Sequence, residues 1–559
     1  MSILNGTLDE RWDLLAALNL TENPFIRTDP SEKDLGRVFV GRVNEMREVA
    51  ARVVDRPRNI LVYGGYGCGK TTFVRKLLQE LQSARRRRFL TGYAALATDT
   101  PQGFQIAALT ALCEGARAAK SEGPLHDFAS ETLDELARIA PGAQAVGSPD
   151  IRFRRALALA KEDGVHRVVL AIDEIDKRDA RVVQELFMGS RFLLDLEVSF
   201  VLTGHYLDVF ADVRSSLLAV FDHRVELTPF PDEQASEILR RNLAIARKTP
   251  EAEQTLLPFG NDVITRIVAQ ARGLPRPLNL MASSTLDQAL NETMETGGSL
   301  DSITLGHLER ALARQGNLIY NEVGAEARSL LAGIFRRKGY ASGADLETLA
   351  PGGLLEAVKE LDFLSRRDAV LRLEAADGPA FALSPPVEEN LRIESGKREQ
   401  LRTLWKTALS APEKEGRGKA LEDFSAAFFA EVFDVTARNL RTDTEELDLV
   451  LERSPRTDPR FSKATYLFVE CKNWRARPVD QAAVTKLFGE LTLHGRQQGF
   501  LVTTGSFTED ARQQARYGVT QGIEMVLLDG ATIDNFLRDL RPVRDLLVEC
   551  HRRLVLRSA

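Results

Sequence analysis

The spacing of apolar and polar positions changes several times along the chain. Three short apolar runs stand out early: Asn59-Ile60-Leu61-Val62-Tyr63, Val168-Val169-Leu170-Ala171-Ile172 and Val198-Ser199-Phe200-Val201-Leu202. Uninterrupted runs of this kind suit strands covered on both faces. They alternate with helical spacing up to about Phe230, which predicts a doubly wound parallel sheet. From Asp232 to about Gln315 the period is helical throughout. Residues 323–395 then read as helix, short helix, helix and two strands joined near Asp377-Gly378, the order of a winged helix. The polar, glycine-containing stretch Ala411 to Gly418 reads as a linker. A second α/β unit follows, opening on an amphipathic helix from Lys419 to Phe433. Its strands are Glu445 to Leu451, Tyr466 to Lys472, Gly499 to Gly505 and Ile523 to Leu528. Its later helices run from Asp480 to Leu493 and onward from a cap at Thr508.

This pattern predicts a multidomain α/β chain. Its expected parts are an N-terminal extension (1–36), a doubly wound core (37–230), a helical lid (231–318), a winged helix (322–395), a linker (396–415) and a C-terminal α/β/α domain (416–559). A length of 559 residues exceeds what one core sustains, in keeping with several domains.

Composition narrows the function. No apolar run approaches the roughly 18 residues of a membrane helix. Met1 to Leu20 carries Asp9, Glu10, Arg11 and Asp13 and lacks the form of a secretory signal, so no membrane partner and cytoplasmic residence are expected. Cys68, Cys113, Cys471 and Cys550 form no CxxC pair, which speaks against a zinc site or disulfide framework. The formal net charge is −6, so nucleic acid would have to be held by local basic patches, of which Arg85 to Arg88 is the densest.

Two motifs carry chemistry in the first half. After Tyr63 comes Gly64-Gly65-Tyr66-Gly67-Cys68-Gly69-Lys70-Thr71-Thr72, which fits GxxxxGK[ST] between a strand and a helix. Gly64, Gly65, Gly67 and Gly69 let backbone N–H groups turn inward around phosphates, aided by the helix that begins near Thr72. Lys70 is placed to reach the β- and γ-phosphates of ATP, and the Thr71 hydroxyl to ligate Mg²⁺. The strand ending at Ile172 continues into Asp173-Glu174-Ile175-Asp176. Asp173 suits a water-bridged Mg²⁺ ligand and Glu174 a polariser of the attacking water. Asp176 is not assigned a role.

With Phe39-Val40-Gly41-Arg42-Val43-Asn44-Glu45 and Gly273-Leu274-Pro275-Arg276, these motifs resemble AAA+ ATPases, in particular the origin-recognition and STAND branch, over residues 20–395. The resemblance implies that Arg276 is a lid arginine sensing the γ-phosphate and that Thr203 is the first sensor, with His205 as a rival. It also implies an arginine finger for a neighbouring subunit at Arg224, with Arg214 as the competitor, and hence a homo-oligomer. In the winged-helix segment the third helix, Gly353 to Asp362, carries Glu356, Glu360 and Asp362 against Lys359, with Arg366 and Arg367 after it. That face suits a protein partner or an autoinhibitory contact better than a DNA backbone.

In the C-terminal unit, Asp448 lies on one strand and Glu470-Cys471-Lys472 on the next, a D…ExK arrangement. Alternation along the strand puts Glu470 and Lys472 on one face and Cys471 on the other. Two carboxylates can hold divalent metal beside a phosphodiester, the lysine can position water or phosphate, and the Cys471 carbonyl is a further candidate ligand. The ExK strand, the Thr503-Thr504-Gly505 strand end and the Asp529-Gly530 turn resemble the Mrr-type branch of PD-(D/E)xK restriction endonucleases over residues 416–540. That resemblance implies a helix glutamate near the metal, which maps to Glu422. Some relatives have Gln where Glu470 stands. Together the two halves suggest an ATP-regulated, Mg²⁺-dependent endonuclease of double-stranded DNA, a bacterial restriction or anti-phage effector. The other readings are a non-cutting AAA+ DNA-binding regulator or loader, and a transposition-type ATPase.

Overall fold

The computed structural model describes residues 3–25, 32–84, 88–119, 123–138, 148–175, 180–204, 220–249, 255–349, 352–375, 378–411, 414–441, 446–475 and 477–556. The chain divides into two compact units, Met1–Ile319 with Ala341–Val387, and Tyr320–Tyr340 with Glu388–Ala559.

In chain order the elements up to the lid are α1 (Ile3–Ala17), α2 (Glu32–Val38), α3 (Val43–Asp55), β1 (Asn59–Tyr63), α4 (Lys70–Gln82), β2 (Phe89–Ala95), α5 (Pro101–Ala118), α6 (Pro124–Arg138), α7 (Pro149–Glu162), β3 (Arg167–Asp173), α8 (Ala180–Gly189), α9 (Arg191–Leu194), β4 (Ser199–Gly204), β5 (His223–Glu226), α10 (Asp232–Ile245), α11 (Asn261–Ala271), α12 (Pro275–Thr296) and α13 (Leu305–Glu322). The first sheet has the order β2-β3-β4-β1-β5, and every pairing is parallel. Strands β1, β3 and β4 are buried along nearly their whole length, which is why they read as unbroken apolar runs. Parallel strands share one carboxyl edge, so the loop after β1, Asp173 at the end of β3 and Thr203 near the end of β4 gather there. The helices α10, α11 and α12 form a separate apolar cluster around Leu239, Ile267 and Leu286, as the helical period from Asp232 predicts.

The winged-helix segment comprises α14 (Ala325–Arg336), β6 (Tyr340–Ala341), α15 (Gly343–Leu349), α16 (Leu354–Arg366), β7 (Val370–Ala375) and β8 (Gly378–Leu383). The hairpin is antiparallel with Leu373 opposite Ala380. The order of elements is the expected one. The expected end of the module and its linker are corrected: α17 (Pro385–Ser410) is one 26-residue helix through residues 396–410. It starts where Pro385 and Pro386 suit a first turn. Arg398 on it is 1% exposed, stacks 3.7 Å over the Phe536 ring and donates to the Arg541 carbonyl at 2.8 Å. Trp405 donates to Asp534 at 2.7 Å.

The nuclease-like part follows as α18 (Lys414–Phe429), β9 (Phe433–Arg441), β10 (Glu446–Arg453), β11 (Tyr466–Lys472), α19 (Gln481–Leu493), β12 (Gln498–Thr503), α20 (Glu509–Thr520), β13 (Glu524–Leu528), α21 (Gly530–Leu537) and α22 (Val543–Leu556). The sheet order is β13-β12-β11-β10-β9, antiparallel from β9 to β11 and parallel from β11 to β13. One face packs on α18 through the rings of Phe424, Phe428, Phe429, Phe433, Phe461 and Phe500. The other packs on α19 and α20 through Phe468, Val484, Leu487 and Ala515. Truncating one such ring to Ala is expected to cost roughly 3–5 kcal/mol.

Candidate active sites

The phosphate loop leaves β1 at Tyr63 and enters α4 at Lys70. Gly67 holds φ +80°, and a Cβ there would lie 2.7 Å from the Arg276 Cβ, so only glycine lets the lid helix approach this closely. Lys70 Nζ donates to the Gly64 and Gly65 carbonyls at 3.1 and 3.2 Å. Asp173 collects the remaining polar groups of the carboxyl edge. It accepts from the Thr71 hydroxyl at 2.6 Å, from the Tyr93 hydroxyl at 2.8 Å, from the Glu174 N–H at 2.8 Å and from the Thr203 hydroxyl. Burial, and then the charge of Asp173, push the Tyr93 phenol well above its ordinary pKa, so it stays a donor. Glu174 sits at φ 66°, an uncommon conformation for a glutamate, with its N–H aimed at Asp173 and, at 3.2 Å, at the Thr203 hydroxyl.

Arg276 occupies the first turn of α12, and its N–H donates to the Gly67 carbonyl at 3.2 Å. Its guanidinium makes a bidentate pair with Asp368, Nε to Oδ1 at 2.9 Å and Nη2 to Oδ2 at 3.0 Å. Asp368 lies in the turn between α16 and β7 at φ 57°, a conformation that aspartate tolerates. The hydrogen bonds that Arg276 donates to Asp368, outweighing burial, hold the arginine pKa above its ordinary value. Between the phosphate loop and the lid lies a cavity of about 540 Å³, lined by Lys70, Thr71, Asp173, Glu174 and Arg276 and continuing past Thr72 to Phe39, Val40 and Phe230. Arg42, from the same segment as Phe39, stacks 4.1 Å over Phe230 and closes one wall. Polar groups at one end and apolar surface at the other suit a nucleotide. Arg224 is exposed on β5 and does not line the cavity.

In the second sheet β10 and β11 pair with Leu449 opposite Val469, which sets Asp448 and Glu470 on adjacent strands across one register step. Asp448 Oδ2 accepts the Cys471 N–H at 2.6 Å. Glu470, 2% exposed, accepts from Lys472 and, at 3.2 Å, from Lys486 of α19, while its Oε2 is buried without a hydrogen-bond partner. Burial first, and then the charge of Glu470, raise the Asp448 carboxyl to about 7. As alternation predicts, Cys471 turns the other way. Its thiol meets Ser425 of α18 at 3.4 Å and is pushed well above its usual pKa by burial. Glu422 stands half-buried on α18, near enough that its charge also acts on Asp448. Among the described residues no three of His, Cys, Asp or Glu converge on a common point, so Glu422, Asp448 and Glu470 are neighbours without forming a closed cage.

Two glycines explain the motif around this strand. A Cβ on Gly505 would lie 2.1 Å from the Trp474 carbonyl oxygen, and one on Gly530 would lie 2.3 Å from that of Thr504. The Gly530 N–H in turn donates to the Gly505 carbonyl at 2.9 Å. The backbone crossing that aligns β11 with β12 therefore has no room for side chains.

The residues that sequence reading missed are those whose partners come from distant elements: Tyr93, Asp368 and Lys486. Only Tyr93 left a trace, as a phenol inside a mostly apolar strand. Asp176, Arg85 to Arg87, His205 and Arg214 lie outside the described residues. Arg88 is engaged by Asp163 at 2.8 Å.

Residues 38–191 match the AAA ATPase domain family, and residues 414–537 match the Mrr catalytic family of restriction endonucleases. No curated protein matches the chain. Among solved structures, Cdc6p of Pyrobaculum aerophilum is 14% identical with a TM-score of 0.32, covering 66% of this chain and 99% of its own. The ORC1 protein of Aeropyrum pernix, solved in complex with DNA, is 18% identical with a TM-score of 0.37, covering 68% and 95%. A RuvB variant of Thermotoga maritima is 17% identical with a TM-score of 0.33, covering 63% and 95%. One chain thus carries both an AAA ATPase domain and a restriction endonuclease domain, families that work with a nucleotide and a divalent metal.

Proposed function

We propose that the chain is an ATP-regulated, Mg²⁺-dependent endonuclease of double-stranded DNA. The observation that carries the nuclease half is the pairing of Asp448 and Glu470 on adjacent strands with Lys472 on Glu470. The residues fit a divalent cation. Two crowded carboxylates, Asp448 raised to about 7 and Glu470 with its Oε2 buried without a hydrogen-bond partner, form an all-oxygen donor set. Asp448 and Glu470 would hold the ion, with the Cys471 carbonyl as a further ligand. When bound, it supplies charge neutralisation at the phosphate and a more acidic water. Lys472, released from Glu470, positions that water or the scissile phosphate. Glu422 orients the site from α18.

In the ATPase, Lys70 binds the phosphates, Thr71 and Asp173 serve Mg²⁺, Thr203 aligns Asp173, and Glu174 activates water. Gly64, Gly65, Gly67 and Gly69 shape the loop, and Thr72 continues its helix. The bidentate Arg276–Asp368 pair supports regulation, because these donors cannot serve Asp368 and a γ-phosphate together. Arg224, exposed at a sheet edge, is the proposed finger for a second copy in a homo-oligomer. The domain extents proposed are those read from the sequence, with α17 in place of the linker. The role proposed for it is restriction or anti-phage defence in the cytoplasm.

The test is plasmid and linear DNA cleavage by the full chain with Mg²⁺, with and without ATP or a non-hydrolysable analogue. Asp448→Ala and Glu470→Ala should each abolish cleavage and leave ATP hydrolysis intact. Cleavage that survives both together removes the nuclease assignment.

A further inference from the structure

Lys486 stands at an unusual junction. Its ammonium lies 3.2 Å from Glu470 Oε1 and 3.0 Å from Glu490 Oε1, four residues on along α19. The two carboxylates are 2% and 1% exposed, whereas the Lys486 side chain is 47% exposed. A cation at the rim is thus anchored by two acids enclosed beneath it.

Glu490 is costly where it is. The buried face of α19 is otherwise apolar, with Val484, Leu487 and Leu491, and an aliphatic residue at 490 would pack there without desolvating a charge. An exposed lysine needs no buried counterion for helix stability, since a surface i,i+4 pair contributes only about 0.3–0.5 kcal/mol. The enclosed acid instead fixes where the ammonium sits. Glu470 carries Lys472 and Lys486, Glu490 carries Lys486, and the charges of Glu422 and Glu470 act on Asp448, so acids outnumber lysines in this cluster and an approaching polyanion meets repulsion unless a fixed cation faces outward. Lysine has three N–H donors. One is given to Glu470, Glu490 is ion-paired at 3.0 Å, and the side chain is 47% exposed, so the ammonium remains accessible to a ligand.

We propose that Lys486 is a substrate-binding residue of the nuclease site, contacting a DNA phosphate, and that Glu490 is the positioning residue that holds it there. The inference rests on the nuclease reading of Asp448 and Glu470. When Glu470 is drawn toward a cation, Lys486 keeps Glu490 and the donor it gave to Glu470 is freed for the phosphate.

The experiment uses the full-length chain as wild type, Lys486→Gln, Lys486→Arg and Glu490→Gln. Binding to a short duplex is measured in EDTA and in Ca²⁺ over a range of salt, beside cleavage of linear plasmid in Mg²⁺. Lys486→Gln should flatten the slope of log affinity against log salt by about one phosphate contact. It should also slow cleavage on the order of 10²-fold. Lys486→Arg should keep the slope, and Glu490→Gln should reduce rate and slope in the same direction by less. An unchanged slope and rate in Lys486→Gln overturns the inference, as does a lowered melting temperature with the slope intact, which marks a helix brace. Should the wild type cut nothing while the slope still responds, Lys486 stands as a phosphate contact and the nuclease reading alone falls.

Discussion

Replacing Asp368 by Ala should tighten the binding of ATP and leave that of ADP unchanged. The Arg276 side chain starts from a residue whose own N–H is bonded to the phosphate loop, and it ends on Asp368 through two hydrogen bonds of 2.9 and 3.0 Å. The two side chains are 32% and 25% exposed. A surface pair contributes about 0.2–1 kcal/mol, and breaking a buried one costs about 3–5 kcal/mol. A bidentate pair at this exposure falls between, at roughly 1–2 kcal/mol. A γ-phosphate that recruits Arg276 must first displace Asp368, so ATP carries that cost and ADP does not. Removing the carboxylate should therefore lower the Kd for ATP about 5- to 30-fold, at 1.4 kcal/mol per decade. Fluorescent-nucleotide titrations of wild type, Asp368→Ala, Arg276→Ala and the double variant check this as a cycle. Equal tightening of ATP and ADP, or tightening that persists in the Arg276→Ala background, refutes the competition. If the competition holds, reciprocity requires ATP to weaken the hold on the α16–β7 turn by the same factor.

Two further outcomes follow from the second sheet. Gly505→Ala forces a methyl group against the Trp474 carbonyl and should lower stability by about 1–3 kcal/mol, read as a fall in the urea midpoint of the transition reporting on this unit. Burial disfavours an ionised Glu524, yet hydrogen bonds from His551, Lys463 and Gln498 outweigh it and hold the carboxyl at about 2, against an ordinary 4.5. Because the folded pKa is the lower one, this stabilisation is present above pH 4.5 and is lost as pH falls toward 2. It amounts to at most about 3 kcal/mol. Thermal melts between those pH values should show a decline in the wild type that is shallower in Glu524→Gln, and equal slopes refute the assignment.

What could be read from the sequence depended on how far apart the cooperating residues lie in it. The phosphate loop, the Asp173-Glu174 pair and the ExK strand each do their work within a few residues of one strand end. Periodicity and glycine placement sufficed to find them. Tyr93 reaches Asp173 only because β2 and β3 pair in parallel with Tyr93 opposite Ala171, a register that no local pattern encodes. Lys486 and Glu490 have the i,i+4 spacing of an ordinary surface pair on a helix, and only packing shows that one of them is enclosed. The misread linker has a similar cause. Arg398, Arg402 and Gly396 give residues 396–410 a solvated look, but Arg398 buries its stem and stacks on a ring, and Arg402 donates to the Leu537 carbonyl at 2.8 Å. In both halves the local motif supplies the reacting groups, while a charged residue from elsewhere in the same unit, Asp368 on Arg276 and Lys486 on Glu470, holds one of those groups. On the proposed reading, a γ-phosphate competes with Asp368 for Arg276 and a cation competes with Lys486 for Glu470. Activity in both halves should therefore respond to partners that the motifs themselves do not contain.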